Sequence, residues 1–311
     1  MTTQAKLIFK IGFGGAPGHP NDHASKRLKE ELERYSDGEI ELQIFPSAQL
    51  GSEKHMIEAV QAGTLELVAT STGPLGLFDP SFLVFDLPYV FNGPEAAGKV
   101  LDGPIGSEVA EKLETMDIAP LAWWENGMRQ LSNNRGPVTS PEHLRGLRIR
   151  TMENAVHMAY FTKLGATPVP LPIGELFAAL KNKIVDAQEN PLSMIANNKF
   201  YKVQKYLTIC DYAYSPTLVL ASSKWLDTLP ADLKDLIRDT VYKLRLFQRQ
   251  IGREQCKAYL EQIRSSGLAI TVLTEKQKES FKDAAYQLYP SFDDQIGPAL
   301  IEKVKYQGWN I

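Results

Sequence analysis

The sequence predicts an α/β fold built around a parallel sheet. Within residues 147–191 the apolar residues alternate as in strands, then recur every three or four positions as in helices, and then alternate again. Strands that alternate with helices favour right-handed crossovers and parallel pairing. A second feature is an uninterrupted helical pattern over about 231–265. At ~1.5 Å per residue this helix would exceed ~50 Å, so it would be longer than one compact domain.

Five elements are predicted within 147–191, and residues with special backbone preferences mark their ends. Asn154 can cap a helix, Gly165 suits the left-handed turn that ends one, and Pro191 cannot donate to a strand ladder. The elements are a strand at 147–151, a helix from 154 to about 163, a strand at 167–171, a helix at 174–181, and a strand from 184 that ends at 191. The strands therefore all end at one edge of the predicted sheet.

Polar residues of this region are expected to meet at that edge, because ligands of open parallel sheets bind outside the carboxyl ends of the strands. They are Arg150, the turn at Pro172 and Ile173, and Asn190. Arginine offers a permanently charged fork that matches a carboxylate, and asparagine can both donate and accept. We therefore predict an organic anion as the ligand. The alternative is that Arg150 pairs with a nearby acid and Asn190 caps a turn.

The rest of the chain supplies strands and helices on both sides of this region. A glycine-rich turn at 12–17 follows the first strand, but Pro17 stands where the third glycine of a dinucleotide-binding loop belongs, and proline has no amide to offer a pyrophosphate. The segment 78–91, rich in aromatic residues and prolines, is expected to be packed loop and core. The predicted strands are 7–13, 40–45, 65–69, 118–125, 206–209 and 217–221, and the predicted helices begin near Asn21 or Asp22 or span 53–62, 274–289 and 298–306.

Composition argues against several classes of function. The 311 residues are 43% hydrophobic and 23% charged, as in ordinary globular proteins, and the net charge of -3 gives no basic footprint for nucleic acid. No stretch approaches the ~18 apolar residues of a membrane span. Cys210 and Cys256 have no metal-ligand spacing; we expect two buried thiols, although pairing stays open. Without a GxSxG elbow, a Walker loop or a metal-binding histidine pair, we expect no catalytic residue, cofactor or metal.

Several short runs, taken in order, resemble the DctP-type substrate-binding proteins of tripartite ATP-independent periplasmic (TRAP) transporters. The runs are PSAQLG (46–51), QAGTLE (61–66), DLPY (86–89), GMRQLSN (127–133), GLRIRTMEN (146–154), VDAQENP (185–191) and KVQKYL (202–207). The resemblance implies a two-lobed, periplasmic-binding-protein-like fold with a hinge, a central ligand cleft and one long helix that spans both lobes. The implied lobes are discontinuous: 1–125 plus 213–251 form lobe I, 126–212 plus 252–311 form lobe II, and the helix at about 231–265 is shared.

The function implied by this resemblance is that of an extracytoplasmic solute-binding protein. It would capture a small organic acid, deliver it to TRAP membrane permease subunits as a monomer, and carry out no chemistry. The periplasmic location implies that a signal segment has been removed before Met1, since the opening residues 1–6 have no apolar core. Two alternatives stay open: an enzyme on a doubly wound α/β fold that acts on a small carboxylate, and an extracytoplasmic ligand sensor.

Arg129 is the second basic contact that the resemblance implies, in a segment that begins at Gly127 and marks the hinge. Two arginines in one cleft require an anion between them or an acid beside one of them, because unpaired buried charges are costly. The alternative is a structural arginine that pairs with Glu125 or Glu189. We expect Arg150 to lie in an open, solvated cleft when no ligand is bound.

The resemblance implies further contacts with the ligand from residues at strand ends elsewhere in the chain. His19 would line the cleft from the first loop, unless it is an exposed turn histidine. Ser71 and Thr72 would offer hydroxyls, unless their turn caps itself.

The apolar and aromatic candidates bear on the identity of the acid. Ile173 stands where sialic-acid-type relatives have phenylalanine, and many relatives have histidine near Tyr212. Together with Trp124 and Tyr214, these residues favour a less polar or aromatic carboxylate over a sugar acid.

Overall fold

The strands of the protein form two sheets that share one long strand. The structure is a computed structural model that describes residues 6–309. The expectation that a signal segment has been removed before Met1 lies outside these residues. The strands are β1 (Leu7–Phe13), β2 (Ile40–Phe45), β3 (Leu67–Ser71), β4 (Ile118–Asn133), β5 (Arg148–Thr151), β6 (Thr167–Pro170), β7 (Ala187–Pro191), β8 (Tyr206–Ile209), β9 (Tyr214–Ser222) and β10 (Ala269–Val272).

Helices cover the faces of both sheets, which confirms the predicted α/β class. They are α1 (Pro20–Tyr35), α2 (Glu53–Ala62), α3 (Thr72–Leu75), α4 (Pro94–Leu101), α5 (Pro104–Glu111), α6 (Ala155–Lys163), α7 (Ile173–Lys181), α8 (Leu192–Asn197), α9 (Ser223–Leu226), α10 (Ala231–Ser265), α11 (Glu275–Tyr286), α12 (Asp293–Ile296) and α13 (Pro298–Trp309). Short 3-10 turns lie at Pro80–Asp86, Lys112–Met116, Pro141–Leu144, Phe200–Lys202 and Tyr289–Phe292.

The first sheet has the order β2-β1-β3-β9-β4, and the second has the order β10-β8-β4-β7-β5-β6. In the first sheet β1 is parallel to β2 and β3, whereas β9 is antiparallel to both β3 and β4. In the second sheet β5 is parallel to β6 and β7. The predicted parallel pairing within 147–191 is therefore confirmed, and the carboxyl ends of these strands lie at one edge.

The local signals of this region act as expected. The Asn154 side chain accepts a hydrogen bond of 2.9 Å from the amide of His157 and so caps α6. Gly165 adopts a φ of +83° just after the helix, in the left-handed region that favours glycine. The third strand begins at Ala187, three residues later than predicted, and Ile184 remains exposed.

Strand β4 is longer than predicted. The expected break between Glu125 and Gly127 is wrong: the strand continues to Asn133, and a register shift against β9 absorbs the extra residue. Gly127 has a φ of +116° at this bulge. The first part of β4 pairs with β9 and its last part with β7 and β8, so this strand joins the two sheets.

Helix α10 is unbroken from Ala231 to Ser265, as predicted. It packs against α1 and β4 beside the first sheet and against α8 beside the second. Its apolar residues enter two cores: Ile237 and Val241 pack with the first sheet, and Tyr259 and Ile263 pack with α7 and α8. Gly252, in the middle, packs beside Pro20, where a methyl group would still be in ordinary van der Waals contact with the proline ring, 3.4 Å away.

Both cysteines are free. Cys210 is buried, as predicted, but Cys256 is exposed, so the expectation of two buried thiols is wrong for the second. Within residues 6–309 no helix is long and apolar enough to cross a membrane.

Candidate functional site

A cavity lies between the two sheets, at the edge where the parallel strands of the second sheet end. It encloses about 390 Å³ of space that atoms do not occupy, including its opening to solvent. The lining comes from the ends of strands in both sheets and from the first turns of the helices that follow strands. The lining residues are Gly14, Gly15, His19, Asn21, Glu53, Ala69, Ser71, Asn126, Arg129, Arg150, Met152, Ile173, Asn190, Met194 and Thr217.

Arg150 reaches this cavity from the carboxyl end of β5. Its Nε donates to the carbonyl of Leu171 at 2.8 Å, which fixes the plane of the guanidinium. Its Nη1 is buried and has no hydrogen-bond partner in the described part of the chain. Burial lowers the pKa of Arg150 to about 10, even though the charges of Glu189 and Glu53 act in the opposite direction. A buried cation with an unused donor is costly unless an anion joins it.

The open, solvated cleft expected around Arg150 is wrong for this structure. The residue is 2% exposed, because the two halves of the protein meet around the cavity. Asn154 Nδ2 donates to Asp86 Oδ2 at 2.9 Å, and Ser71 Oγ lies 3.4 Å from Met152 Sδ. The structure therefore shows a closed arrangement.

Arg129 lines the same cavity but already has an anionic partner. Its Nε and Nη2 donate to the two carboxylate oxygens of Glu189, the latter at 3.0 Å, and its Nη1 donates to Ser215 Oγ at 3.0 Å. Burial alone would lower the pKa of Arg129, but Glu189 outweighs it and raises that pKa. Of the two acids considered from the sequence, Glu189 is the neighbour of Arg129, whereas Glu125 pairs with Arg253. Arg129 is thus a paired arginine at the cavity wall.

Asn190 lies at the end of β7, beside this pair. Its Nδ2 donates to Gln188 Oε1 at 2.6 Å, and its Oδ1 accepts a long hydrogen bond of 3.4 Å from Arg129 Nη2. Arg150, Ile173 and Asn190 all line the cavity, so the predicted meeting of these residues at one edge is confirmed.

His19 caps α1 and is buried, so the alternative of an exposed turn histidine is wrong. Its Nδ1 accepts from the amide of Asn21 at 3.2 Å, and its Nε2 lies 3.0 Å from Asn126 Oδ1. Because Nδ1 accepts and the amide oxygen also accepts, Nε2 carries the proton of a neutral ring. Burial lowers the pKa of His19 to about 4, which keeps the ring neutral.

Several predicted contacts lie behind the cavity wall. Thr72 donates to buried Asp86 at 2.9 Å, Trp124 lies in the core of the first sheet, Tyr212 donates to Glu189 at 2.5 Å, and Tyr214 donates to Glu125 at 3.0 Å. No phenylalanine, tyrosine or tryptophan of the described residues lines the cavity. The preference for an aromatic carboxylate, which depended on these rings, therefore loses its basis.

A buried histidine lies between two carboxylates in the layer behind the wall. His157 Nε2 lies 3.8 Å from Asp86 Oδ1, and its Nδ1 lies 3.8 Å from Glu189 Oε1. Burial lowers the pKa of His157 to about 4 and raises the pKa of Asp86 to about 7. At these distances neither ring nitrogen of His157 makes a hydrogen bond among the described residues, so Glu189 is held by Arg129 and Tyr212.

Sequence reasoning missed several lining residues, among them Asn21, Glu53, Asn126 and Met152. Glu53 was visible only as the first residue of a predicted helix, and that position does not reveal which side of the helix meets a cavity. Among residues 6–309 no group of three or more histidine, cysteine or acidic side chains is arranged to hold a metal.

A wider groove of about 1140 Å³, open to solvent, lies elsewhere on the surface. Its charges already pair with one another: Lys278 contacts Asp211 and Glu275, and Lys282 contacts Glu275. It offers no unpaired charge comparable to that of Arg150.

The chain matches the family model of bacterial extracellular solute-binding proteins, family 7 (DctP), over residues 12–295. A solute-binding protein of Verminephrobacter eiseniae is 35% identical over 98% of this chain and 90% of its own length. The structure of a sugar acid binding protein of Advenella mimigardefordensis in complex with galactonate is 34% identical, with a TM-score of 0.95 over 98% of each chain. A TRAP periplasmic solute-binding protein of Sulfurospirillum deleyianum with bound succinate is 29% identical, with a TM-score of 0.94 over 97% of this chain and 99% of its own. Similarity of this extent confirms both the two-lobed fold and the resemblance seen in the sequence: this chain belongs to the DctP family of TRAP solute-binding proteins.

Proposed function

We propose that this protein captures a small organic acid in the cavity between its two sheets and hands it, unchanged, to TRAP membrane permease subunits. The observation that carries the proposal is Arg150, whose buried Nη1 has no partner among the described residues. Galactonate and succinate, the ligands of two similar proteins, are both carboxylates. The protein would act in the periplasm, a location that the family supports, and it would act as a monomer and without catalysis.

The carboxylate would lie against Arg150, with Asn190 ordering the same group and Arg129 assisting from the neighbouring strand β4. Ser71, Ile173 and His19 would contact the rest of the ligand. The remaining predicted residues would lie behind the residues that line the cavity and hold them in place. They are Thr72, Trp124, Tyr212 and Tyr214. A planar guanidinium held by one carbonyl leaves a fork for a two-pronged, charge-assisted contact.

Closure would be a hinge motion of two discontinuous lobes. Residues 1–125 plus 213–251 would form lobe I, and residues 126–212 plus 252–311 would form lobe II, with 1–5 and 310–311 outside the described range. The bulge in β4 at Gly127 supports a hinge there, because an irregular position can absorb backbone rotation. A ligand that contacts both lobes would favour the closed state by its differential affinity.

A thermal-shift screen of organic acids tests the proposal on protein freed of co-purified ligand by unfolding and refolding. A true ligand at a hundredfold over its dissociation constant should stabilise the protein by ~2.7 kcal/mol. Mass spectrometry of the incubated acid should recover it unchanged. A chemically altered product formed at catalytic rates would instead identify an enzyme, and the absence of any stabilising acid would contradict the proposal.

A further inference from the structure

Glu53 brings a carboxylate into the cavity from the first turn of α2. The amide of Ser71 donates to Glu53 Oε1 at 2.9 Å, and the Ser71 hydroxyl lies 3.0 Å from Oε2. Ser52 caps the helix, so Glu53 occupies a helix N-terminus, where negative charge is favoured. Its position is therefore set by the backbone of both α2 and β3.

No lysine or arginine of residues 6–309 forms an ion pair with Glu53 within 4.0 Å. The carboxylate instead faces Arg150 from the other side of the cavity, near enough for its charge to act on that arginine. The cavity thus carries opposite charges on its two sides, Glu53 beside the first sheet and Arg150 in the second. A ligand that fills it meets a cation on one side and an anion on the other.

The rest of the cavity lining offers uncharged hydrogen-bonding groups. Asn21 Oδ1 accepts from Gln248 at 2.9 Å, and Asn126 Oδ1 lies 3.0 Å from His19 Nε2. Since their oxygens are engaged, the amide nitrogens of these two residues are the groups left for a ligand, together with the Thr217 hydroxyl. Such groups match hydroxyls placed along a carbon chain.

We propose that Glu53 restricts the ligand to hydroxylated monocarboxylates of the sugar-acid type and excludes dicarboxylates. This inference rests on the proposed function, since it assumes that Arg150 holds a carboxylate. A terminal hydroxyl can donate to Glu53, whereas a second carboxylate would place a like charge against it. A site built to bind a hydroxyl also rejects an analogue that lacks it.

Matched pairs of acids isolate this effect. D-galactonate and galactarate differ only in the terminal group, a CH2OH in the first and a carboxylate in the second; D-erythronate and meso-tartrate form a shorter pair. One of the two monoacids should bind the parent protein more tightly than the other. We expect calorimetric titration to show that this monoacid binds roughly 10- to 100-fold more tightly than the diacid of its pair. Succinate and butyrate serve as hydroxyl-free probes and should bind more weakly still.

Glu53→Gln removes the charge but keeps the side-chain length and an acceptor for Ser71. It should reduce the preference for the monoacid over its diacid by roughly 10-fold or more. Glu58→Gln is the matched control, because Glu58 lies on the same helix but is exposed to solvent, and the preference should stay as in the parent. Thermal melting of each variant establishes that it is folded.

The outcomes of these titrations distinguish a failure of the proposed role of Glu53 from a failure of the proposed function. If a diacid binds the parent as tightly as its monoacid, or succinate or butyrate binds more tightly than any hydroxylated acid, the role of Glu53 is refuted and the proposed function stands. An unchanged preference in folded Glu53→Gln also refutes it. If none of these acids and none in the wider screen binds, the proposed function itself fails.

Discussion

Replacing Arg150 by lysine should weaken ligand binding nearly as much as replacing it by alanine. In the structure Arg150 uses Nε to donate to Leu171 and leaves Nη1 toward the cavity. Lysine keeps the charge but has a single ammonium, which cannot occupy both places. It would either bind the carbonyl and leave the anion unpaired, or reach the anion without the support that orients it.

The expected loss follows from the burial of this contact. Removing one partner of a buried, hydrogen-bonded charge pair costs on the order of 2 to 5 kcal/mol, which corresponds to roughly 30-fold to several thousand-fold in the dissociation constant. Arg150 is 2% exposed, so water cannot replace the lost contact in the closed state. Stability without ligand should change by no more than ~1 kcal/mol in either variant. Arg150→Ala removes one hydrogen bond but also an unpaired buried charge, and Arg150→Lys keeps the charge and loses at most the same hydrogen bond.

Calorimetric titration with the best acid of the screen provides the assay, and Arg148→Lys is the control. Arg148 lies two residues away on the same strand, is exposed, and pairs with Asp186 at 2.8 Å outside the cavity. Binding by this control should stay within about twofold of the parent. If Arg150→Lys binds within about threefold of the parent, less than ~1 kcal/mol, a point charge suffices and the reasoning is refuted. If both Arg150 variants unfold, the arginine is structural.

Two further predictions concern stability in the absence of ligand. Arg129→Ala should lower the free energy of unfolding by about 3 to 5 kcal/mol in urea titrations, because it leaves buried Glu189 without its ion-pair partner; a loss below ~1 kcal/mol would show that the pair is not structural. Because the pKa of His19 is lowered from 6.5 to about 4, the unfolded chain takes up this proton first, so stability is full above pH 6.5 and falls as the pH drops toward 4, by on the order of 3 kcal/mol. His19→Asn, which keeps a capping acceptor, should remove that part of the pH dependence of urea unfolding, and an unchanged slope would contradict the assignment.

The sequence predicted strands, helices and their pairing most accurately where a residue pattern is typical of one kind of structure alone. Alternation and capping residues within 147–191 identified the strands and helices around Arg150, and parallel pairing then brought Arg150 and Asn190 to one edge. The break predicted in β4 was wrong because a glycine at a bulge and a glycine at a strand end look alike in sequence.

The positions of the site residues that the sequence missed or misplaced depend on how the two sheets and their helices pack around the cavity. The predicted strand 217–221 begins three residues too late, since β9 begins at Tyr214. Every residue of β9 is buried, so alternation could not tell which side Tyr214 would face. Trp124 lies on a face of β4 that α10 covers, and that packing brings together segments far apart in the chain. Glu53 became part of the site only because the first turn of α2 points toward β5 across the closed cavity.

The measurement that tests the central claim most directly is a crystal structure of the refolded protein with the best acid of the screen. We predict that the acid lies in the cavity between the two sheets, with a carboxylate oxygen within hydrogen-bonding distance of Arg150 Nη1. A carboxylate bound elsewhere, with Arg150 still unpaired or paired to a protein acid, would contradict the account.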